Sequence, residues 1–188
     1  MSLMPAFEIG LWNAWIFVLY EVATFPFFLR MARNRAPESE EKSARMSKNE
    51  KIALYASKIV MFVAFVYAIF LPLKLGTVWF YVGLPITLVG LVFGTVILFD
   101  WAKTPPDRPV TGGLYRYSRH PMYIGLFLLL LGVSIATASW VVLVLAIVVT
   151  VVSFVFAYIE EQACLKRYGE AYREYMNRTP RFFGRPKP

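Results

Sequence analysis

Four apolar runs limit what this chain can fold into. They cover residues 11–29, 52–73, 78–99 and 122–159 of a 188-residue sequence. A bilayer's hydrocarbon core is about 30 Å thick and takes roughly 20 mostly apolar residues to cross as a helix. Each of the first three runs has the length of one crossing. The fourth is too long for one and breaks at Ala136-Thr137-Ala138-Ser139-Trp140, which predicts a helical hairpin and about five transmembrane helices in all. At 58% hydrophobic residues the chain is also more apolar than a soluble domain, which sits nearer half. The expected fold is therefore an all-α polytopic membrane protein. It forms a single domain over residues 1–188, with its chemistry concentrated in about 100–185.

The net charge of +8 would suit nucleic acid, but its distribution does not. Of the 20 Lys and Arg, 8 lie between Arg30 and Lys58, 4 between Lys103 and Arg119, and 7 between Lys166 and Lys187. Five crossings put those three segments on one side of the membrane. The positive-inside rule makes that side cytoplasmic, with the amino terminus outside and the carboxyl terminus in the cytoplasm. A four-crossing chain would strand the tail opposite the other two basic segments. The charge is a topology signal, and no nucleic-acid partner is expected. The flank before the first run has no basic residue and carries Glu8, unlike a signal peptide. One cysteine, Cys164, forms no intrachain disulfide, and one histidine, His120, excludes sites needing several His ligands, so no metal is expected.

The loop DWAKTPPDRPVTGGLYRYSRHP (residues 100–121) holds most of the candidate chemistry. Pro105, Pro106 and Pro109 stiffen it, and Gly112-Gly113 permit a sharp turn. Pro121 suits the first turn of the next helix. The free N–H groups of that helix start, with Arg116 and Arg119 near, make an anion pocket. Glu160-Glu161 close the second arm of the hairpin, so the carboxylate pair and the basic pocket should face each other at one membrane end. In the tail, Leu165, Tyr168, Tyr172 and Tyr175 share one helical face, fit to lie on the membrane or to cover the cleft. Glu21 falls mid-span, where a carboxylate is costly and a functional candidate, and Asp100 closes the third run. Gly90 and Gly94 form a small-xxx-small pair suited to helix packing.

The string Gly113-x-Tyr115-x-x-x-Arg119-His120-Pro121-x-Tyr123-x-Gly125 resembles the motif of the integral-membrane isoprenylcysteine carboxyl methyltransferase and phospholipid methyltransferase superfamily. So does the later series Glu160-Glu161, Tyr168-Gly169, Tyr172, Tyr175 and Pro180-Arg181-Phe182. The resemblance covers about the last 90 residues. It implies an S-adenosylmethionine-dependent methyltransferase whose cofactor sits in a cytoplasm-facing pocket made by the loop, the last two membrane helices and the tail. It implies cofactor contacts from Tyr115, His120, Pro121, Met122, Tyr123 and Glu160, with Val110 and Asp100 as further positions. Arg119 and Glu161 are the candidate catalytic residues, and Glu21 and Phe156 candidate substrate-lining ones. Prenylcysteine enzymes carry an arginine four residues before the first glutamate, suited to a substrate carboxylate. Phe156 stands there in this chain. An amine, thiol or hydroxyl on a lipid or small hydrophobic acceptor is therefore expected over a carboxylate. No glycine-rich βα fingerprint is present, which excludes a Rossmann methyltransferase. Two alternatives stay open. One is an NADPH-dependent membrane reductase of the sterol type, which shares an RYSRHP-x-Y-x-G loop but typically differs at Met122 and Leu126. The other is a lipid-binding protein without turnover.

Overall fold

The computed structural model describes residues 10–33 and 47–185. They form helices α1 (Trp15–Ala32), α2 (Lys48–Ile69), α3 (Val78–Lys103), α4 (Pro121–Ala136), α5 (Trp140–Tyr168) and α6 (Glu170–Arg178), with a 3-10 turn at Gly113–Arg116. Among the described residues there is no strand. The only bridge among them pairs Asn13 with Pro72.

The long apolar run breaks where its small and polar residues fall. Helix α4 ends at Ala136, Ala138 takes φ +51°, and Ser139 caps α5 by accepting Val142 N–H on its hydroxyl. The second arm then runs on to Tyr168, past the end of the apolar run at Ile159, because nothing in YIEEQACLKRY interrupts a helix. Gly169, at φ +55°, turns the chain into α6.

Successive long helices alternate in direction. The end of α1 meets the end of α3 through Phe27 and Phe99, with ring centroids 5.4 Å apart. The start of α1 is tied to the segment after α2, Ala14 N–H donating to Leu71 O at 3.0 Å and Leu73 N–H to Trp12 O at 2.9 Å. That segment reaches the hairpin turn through Lys74 N–H on Ala136 O at 3.0 Å. The loop 104–120, the end of α5 and the tail therefore gather at the opposite end of the bundle. Two helices, α3 and α5, are long and apolar enough to cross a membrane by length and composition; α4 is apolar but has 16 residues, and the apolar part of α2 runs Lys58–Ile69.

Helices α3 and α4 pack backbone to backbone. A Cβ added at Gly83 would lie 2.2 Å from Ala136 N, one at Gly90 2.5 Å from Leu129 N, and one at Gly132 2.3 Å from Thr87 N. Thr87, fully buried at this contact, satisfies its hydroxyl on Gly83 O at 2.9 Å. The small-residue ridge thus pairs Gly90 with Gly83, two turns earlier. Gly94 lies on the same helix contact, its backbone N 3.4 Å from a Cβ built at Gly125 of α4, although a Cβ at Gly94 itself would meet nothing within 4 Å. Small residues let helices approach this closely where apolar surroundings supply little drive to associate.

Overpacking a tight core contact costs about 1–3 kcal/mol, and here the obstacle is backbone. Gly132→Ala should lower the thermal midpoint in detergent by several degrees, while Gly94→Ala should leave it near wild type. Equal midpoints for the two variants would contradict this packing.

Candidate active site

The loop is built onto the end of α3. Thr104 takes an extended conformation, Pro105 and Pro106 follow, and the helix stops. In the last turn of α3, Asp100 Oδ2 accepts Leu114 N–H at 3.2 Å and so fastens the 3-10 turn. Gly113, at φ +56°, is pressed against that carboxylate, where a Cβ would stand 1.9 Å from Oδ2. The backbone angle and the space both demand glycine. The turn buries Tyr115 among Ile97, Val110, Tyr172 and Tyr175. Tyr175 donates its hydroxyl to Tyr115 O at 2.7 Å. The tail tyrosines Tyr172 and Tyr175 are buried against this loop, so the apolar face of α6 covers the loop and not the membrane surface.

Beyond α6 the chain crosses the start of α4 as a short strap. Arg119 N–H donates to Pro180 O at 3.0 Å, His120 N–H to Arg181 O at 3.2 Å, and Ser118 Oγ to Arg181 O at 3.1 Å. The free N–H groups expected before α4 are thus partly satisfied by the tail, the first intrahelical turn being completed by Pro121 at the opening helical position. His120 occupies the N-cap without a side-chain capping bond. Its ring is free to turn toward the glutamates.

At the centre lies Glu161, fully buried. Arg181 Nε donates to both its oxygens, at 3.0 and 3.1 Å, and Arg181 Nη2 to Oε2. His120 Nε2 stands 3.2 Å from Oε1, and Arg119 Nη1 is 3.2 Å from the same oxygen. The other ring nitrogen, Nδ1, lies 3.5 Å from Glu160 Oε2. Glu160 is the more open of the two acids, its side chain 33% exposed. Tyr123 stacks on His120 with centroids 5.7 Å apart. Phe182 also leans on the His120 ring at 5.7 Å and is itself backed by Phe154 at 4.6 Å.

Burial pushes both ionisable partners toward neutrality, and the pairing overrides it. Desolvation alone would raise the Glu161 carboxyl; hydrogen bonds from His120 and Arg181 and the charge of Arg119 hold it down at about 2. Desolvation alone would lower His120, yet its bonds to Glu160 and Glu161, and their charges, raise it above the ordinary histidine value. A ring whose two nitrogens both face carboxylates is best served as imidazolium, the form in which both donate. Burial likewise pushes the Tyr172 and Tyr175 hydroxyls up.

The structure therefore brings Arg119, His120, Tyr123, Glu160 and Glu161 into one cluster. Tyr115 and Val110 lie in the adjoining tyrosine layer, joined to the cluster through Tyr175, which also bonds Ser118 O at 3.3 Å. Asp100 fastens the turn through Oδ2 and so anchors the loop. Met122 is exposed and Arg116 lies outside the cluster on the surface. Phe156 is buried one turn before Glu160. Glu21 lies in α1, and its side chain falls outside the described part of the structure. The residue to which the sequence assigns no role is Arg181. Its only signal is its place in the Pro180-Arg181-Phe182 string after the tail helix. Among the described residues no group of three or more His, Cys, Asp or Glu could hold a metal ion.

One feature of the cluster points to a ligand. Arg119 Nε and Nη1 are buried and have no hydrogen-bond partner among the described residues. Nη1 faces Glu161 Oε1 outside hydrogen-bonding geometry. Two buried donors without acceptors suit an anionic group, and Glu160 beside them suits hydroxyls or an amine.

Comparison with known proteins bears on the same region. The family described as phospholipid methyltransferase matches residues 75–171. Methanethiol S-methyltransferase of Crocosphaera subtropica is 32% identical over 84 residues, 45% of this chain and 32% of that protein. Methanethiol S-methyltransferase 1 of Bradyrhizobium diazoefficiens is 36% identical over 92 residues, 49% of this chain and 31% of that protein. The matches thus span about a third of the length of these curated relatives.

The lone histidine makes the electrostatics directly measurable. Its imidazole NMR signal in detergent should titrate above 6.5, and Glu161→Gln should lower that value by removing a raising partner. A wild-type titration at or below 6.5 would contradict the cluster. The signs for stability follow. The His120 contribution is full below its ordinary value and fades as pH rises through the raised one. The Glu161 contribution is full above the ordinary carboxylate range and fades as pH falls toward about 2. The thermal midpoint should therefore fall on both sides of a plateau reaching roughly pH 5 to 6.5.

Proposed function

The chain belongs to the phospholipid methyltransferase family, and from that premise we propose that it methylates a thiol, amine or hydroxyl on a lipid or small hydrophobic acceptor, using S-adenosylmethionine. The observation that carries this reading is that Arg119 Nε and Nη1 are buried without a hydrogen bond in the same cluster as the partly exposed Glu160. That donor and acceptor set fits S-adenosylmethionine, which carries a carboxylate, an amine, a sulfonium and ribose hydroxyls. Arg119 would hold the carboxylate and Glu160 the amine or ribose hydroxyls, with His120 holding the orientation of Glu160 and Tyr115, Pro121, Met122 and Tyr123 forming the surrounding wall. When bound, S-adenosylmethionine supplies an electrophilic methyl group whose sulfur leaves as a neutral thioether.

Because that leaving group is neutral, the residues chiefly align the reactants and exclude water. Phe182, Phe154 and Tyr123 supply the dry wall around His120. Glu161 is a poor proton acceptor, since three cationic groups stabilise its charged form. We assign it to organising the cluster and not to a general-base role. Phe156 offers an acceptor carboxylate nothing to bind, which supports an uncharged nucleophile. The two relatives are named for a thiol acceptor, methanethiol, which makes small thiols the first acceptors to try alongside aminolipids.

The proposal further takes residues 1–188 as one domain with five crossings. The end bearing the loop and tail faces the cytoplasm, where the basic segments collect. Cofactor reaches the site from water there and acceptor from the lipid.

Calorimetry on detergent-purified protein should show S-adenosylmethionine and S-adenosylhomocysteine binding and NADPH not binding. Arg119→Ala should weaken the adenosyl ligands by about 10- to 100-fold, the worth of a charge-assisted hydrogen bond. Binding of NADPH alone would overturn the reading in favour of a reductase.

A further inference from the structure

The three cationic groups of the cluster do not share Glu161 evenly. A carboxylate offers about four lone-pair sites. Arg181 takes three contacts across both oxygens, and His120 takes a further place on Oε1. Arg119, though 3.2 Å from Oε1, is left without a hydrogen bond. A buried donor lacking an acceptor is costly, so Arg119 would ordinarily turn onto the nearest carboxylate. The carboxylate is already filled.

We propose that Arg181 is a positioning residue for the cofactor: by occupying both oxygens of Glu161 it keeps Arg119, an ion-pair neighbour at 3.2 Å, from hydrogen-bonding to that carboxylate, so that the buried N–H groups of Arg119 stay available to the ligand's own carboxylate. This rests on the proposed function above. Arg181 is well placed for the task. Its carbonyl is fixed by Ser118 Oγ and His120 N–H, so the strap and the side chain are set together. Its planar fork spans both oxygens, which a lysine ammonium cannot do. It also lies at the outer edge of the cluster, its side chain 41% exposed beside a partner at 1%. Replacing it leaves the buried groups in place and frees one side of Glu161 for Arg119.

The test compares two ligands that share an adenosine and a thioether. S-adenosylhomocysteine has the amino-acid carboxylate and 5′-methylthioadenosine lacks it. Wild-type protein in detergent should bind the first at least about tenfold more tightly. Arg181→Gln should erase most of that preference by weakening S-adenosylhomocysteine alone, and Arg181→Lys should resemble it. A preference that survives in Arg181→Gln overturns the inference and leaves the proposed function standing. Loss of both ligands in both variants also overturns it, since Arg181 would then support the whole pocket and not Arg119 in particular. A wild-type protein that binds the two ligands equally shows that no carboxylate is recognised, and the inference fails. Binding of neither by wild type overturns the proposed function itself. The His120 signal adds a readout that mere unfolding cannot mimic. Removing the Arg181 charge should make His120 hold its proton to higher pH, and a shift back toward the free-histidine value contradicts the arrangement.

Discussion

An ionised carboxylate removed from water has to be surrounded by donors, and Glu161 meets that demand with groups from separate parts of the chain. His120 comes from the loop before α4, with Arg119 beside it in ion-pair range without a hydrogen bond, Arg181 from the strap after α6, and the carboxylate itself from far along α5. Removing one partner from such a pair costs about 3–5 kcal/mol because the remaining charge is left uncompensated. The loop, the strap and the end of α5 are consequently held together. The rest of the site follows from that closure. The strap carbonyls satisfy the helix start, Phe182 is drawn onto His120, and the α6 tyrosines seal the far side of the loop.

The same arrangement separates the roles of two adjacent acids. Glu161 is buried and saturated, whereas Glu160, one residue earlier and about 100° around the helix, keeps part of its surface open. One acid organises the cations, and its neighbour, also bound to His120, keeps about a third of its side chain exposed. His120 couples the two, one ring nitrogen on each. The aromatic groups around it are apolar enough to strengthen these interactions by excluding water.

Much of this was legible in the sequence, for physical reasons that can be named. Apolar length and the Ala136–Trp140 interruption locate the hairpin, because a chain leaving the apolar layer needs small and polar residues where it turns. The loop motif and the Glu160-Glu161 pair are brought together because hairpin geometry puts both at one end. Less visible were contacts made at a distance. The Asp100 carboxylate holds the Gly113 turn, a contact that depends on a left-handed glycine 13 residues away. Gly90 and Gly94 match a packing motif by spacing and both meet α4, yet the motif misses Gly83, two turns before Gly90, where the backbones approach most closely. Arg181 was visible as part of the Pro180-Arg181-Phe182 string, but its contact was not. Its partner is 20 residues distant, and the contact exists only because Gly169 reverses the chain and α6 carries it back over the loop. The count of five crossings rests on the pattern of apolar runs and basic segments, while length and composition single out α3 and α5.

An experimental structure of the full chain with S-adenosylhomocysteine bound would be the most decisive measurement. The ligand's amino-acid carboxylate should lie on Arg119 Nε and Nη1, with Glu160 on its amine or ribose and Glu161 still held on both oxygens by Arg181. Ligand bound away from this cluster, or Arg119 turned onto Glu161 while the ligand's carboxylate lies elsewhere, would contradict that arrangement.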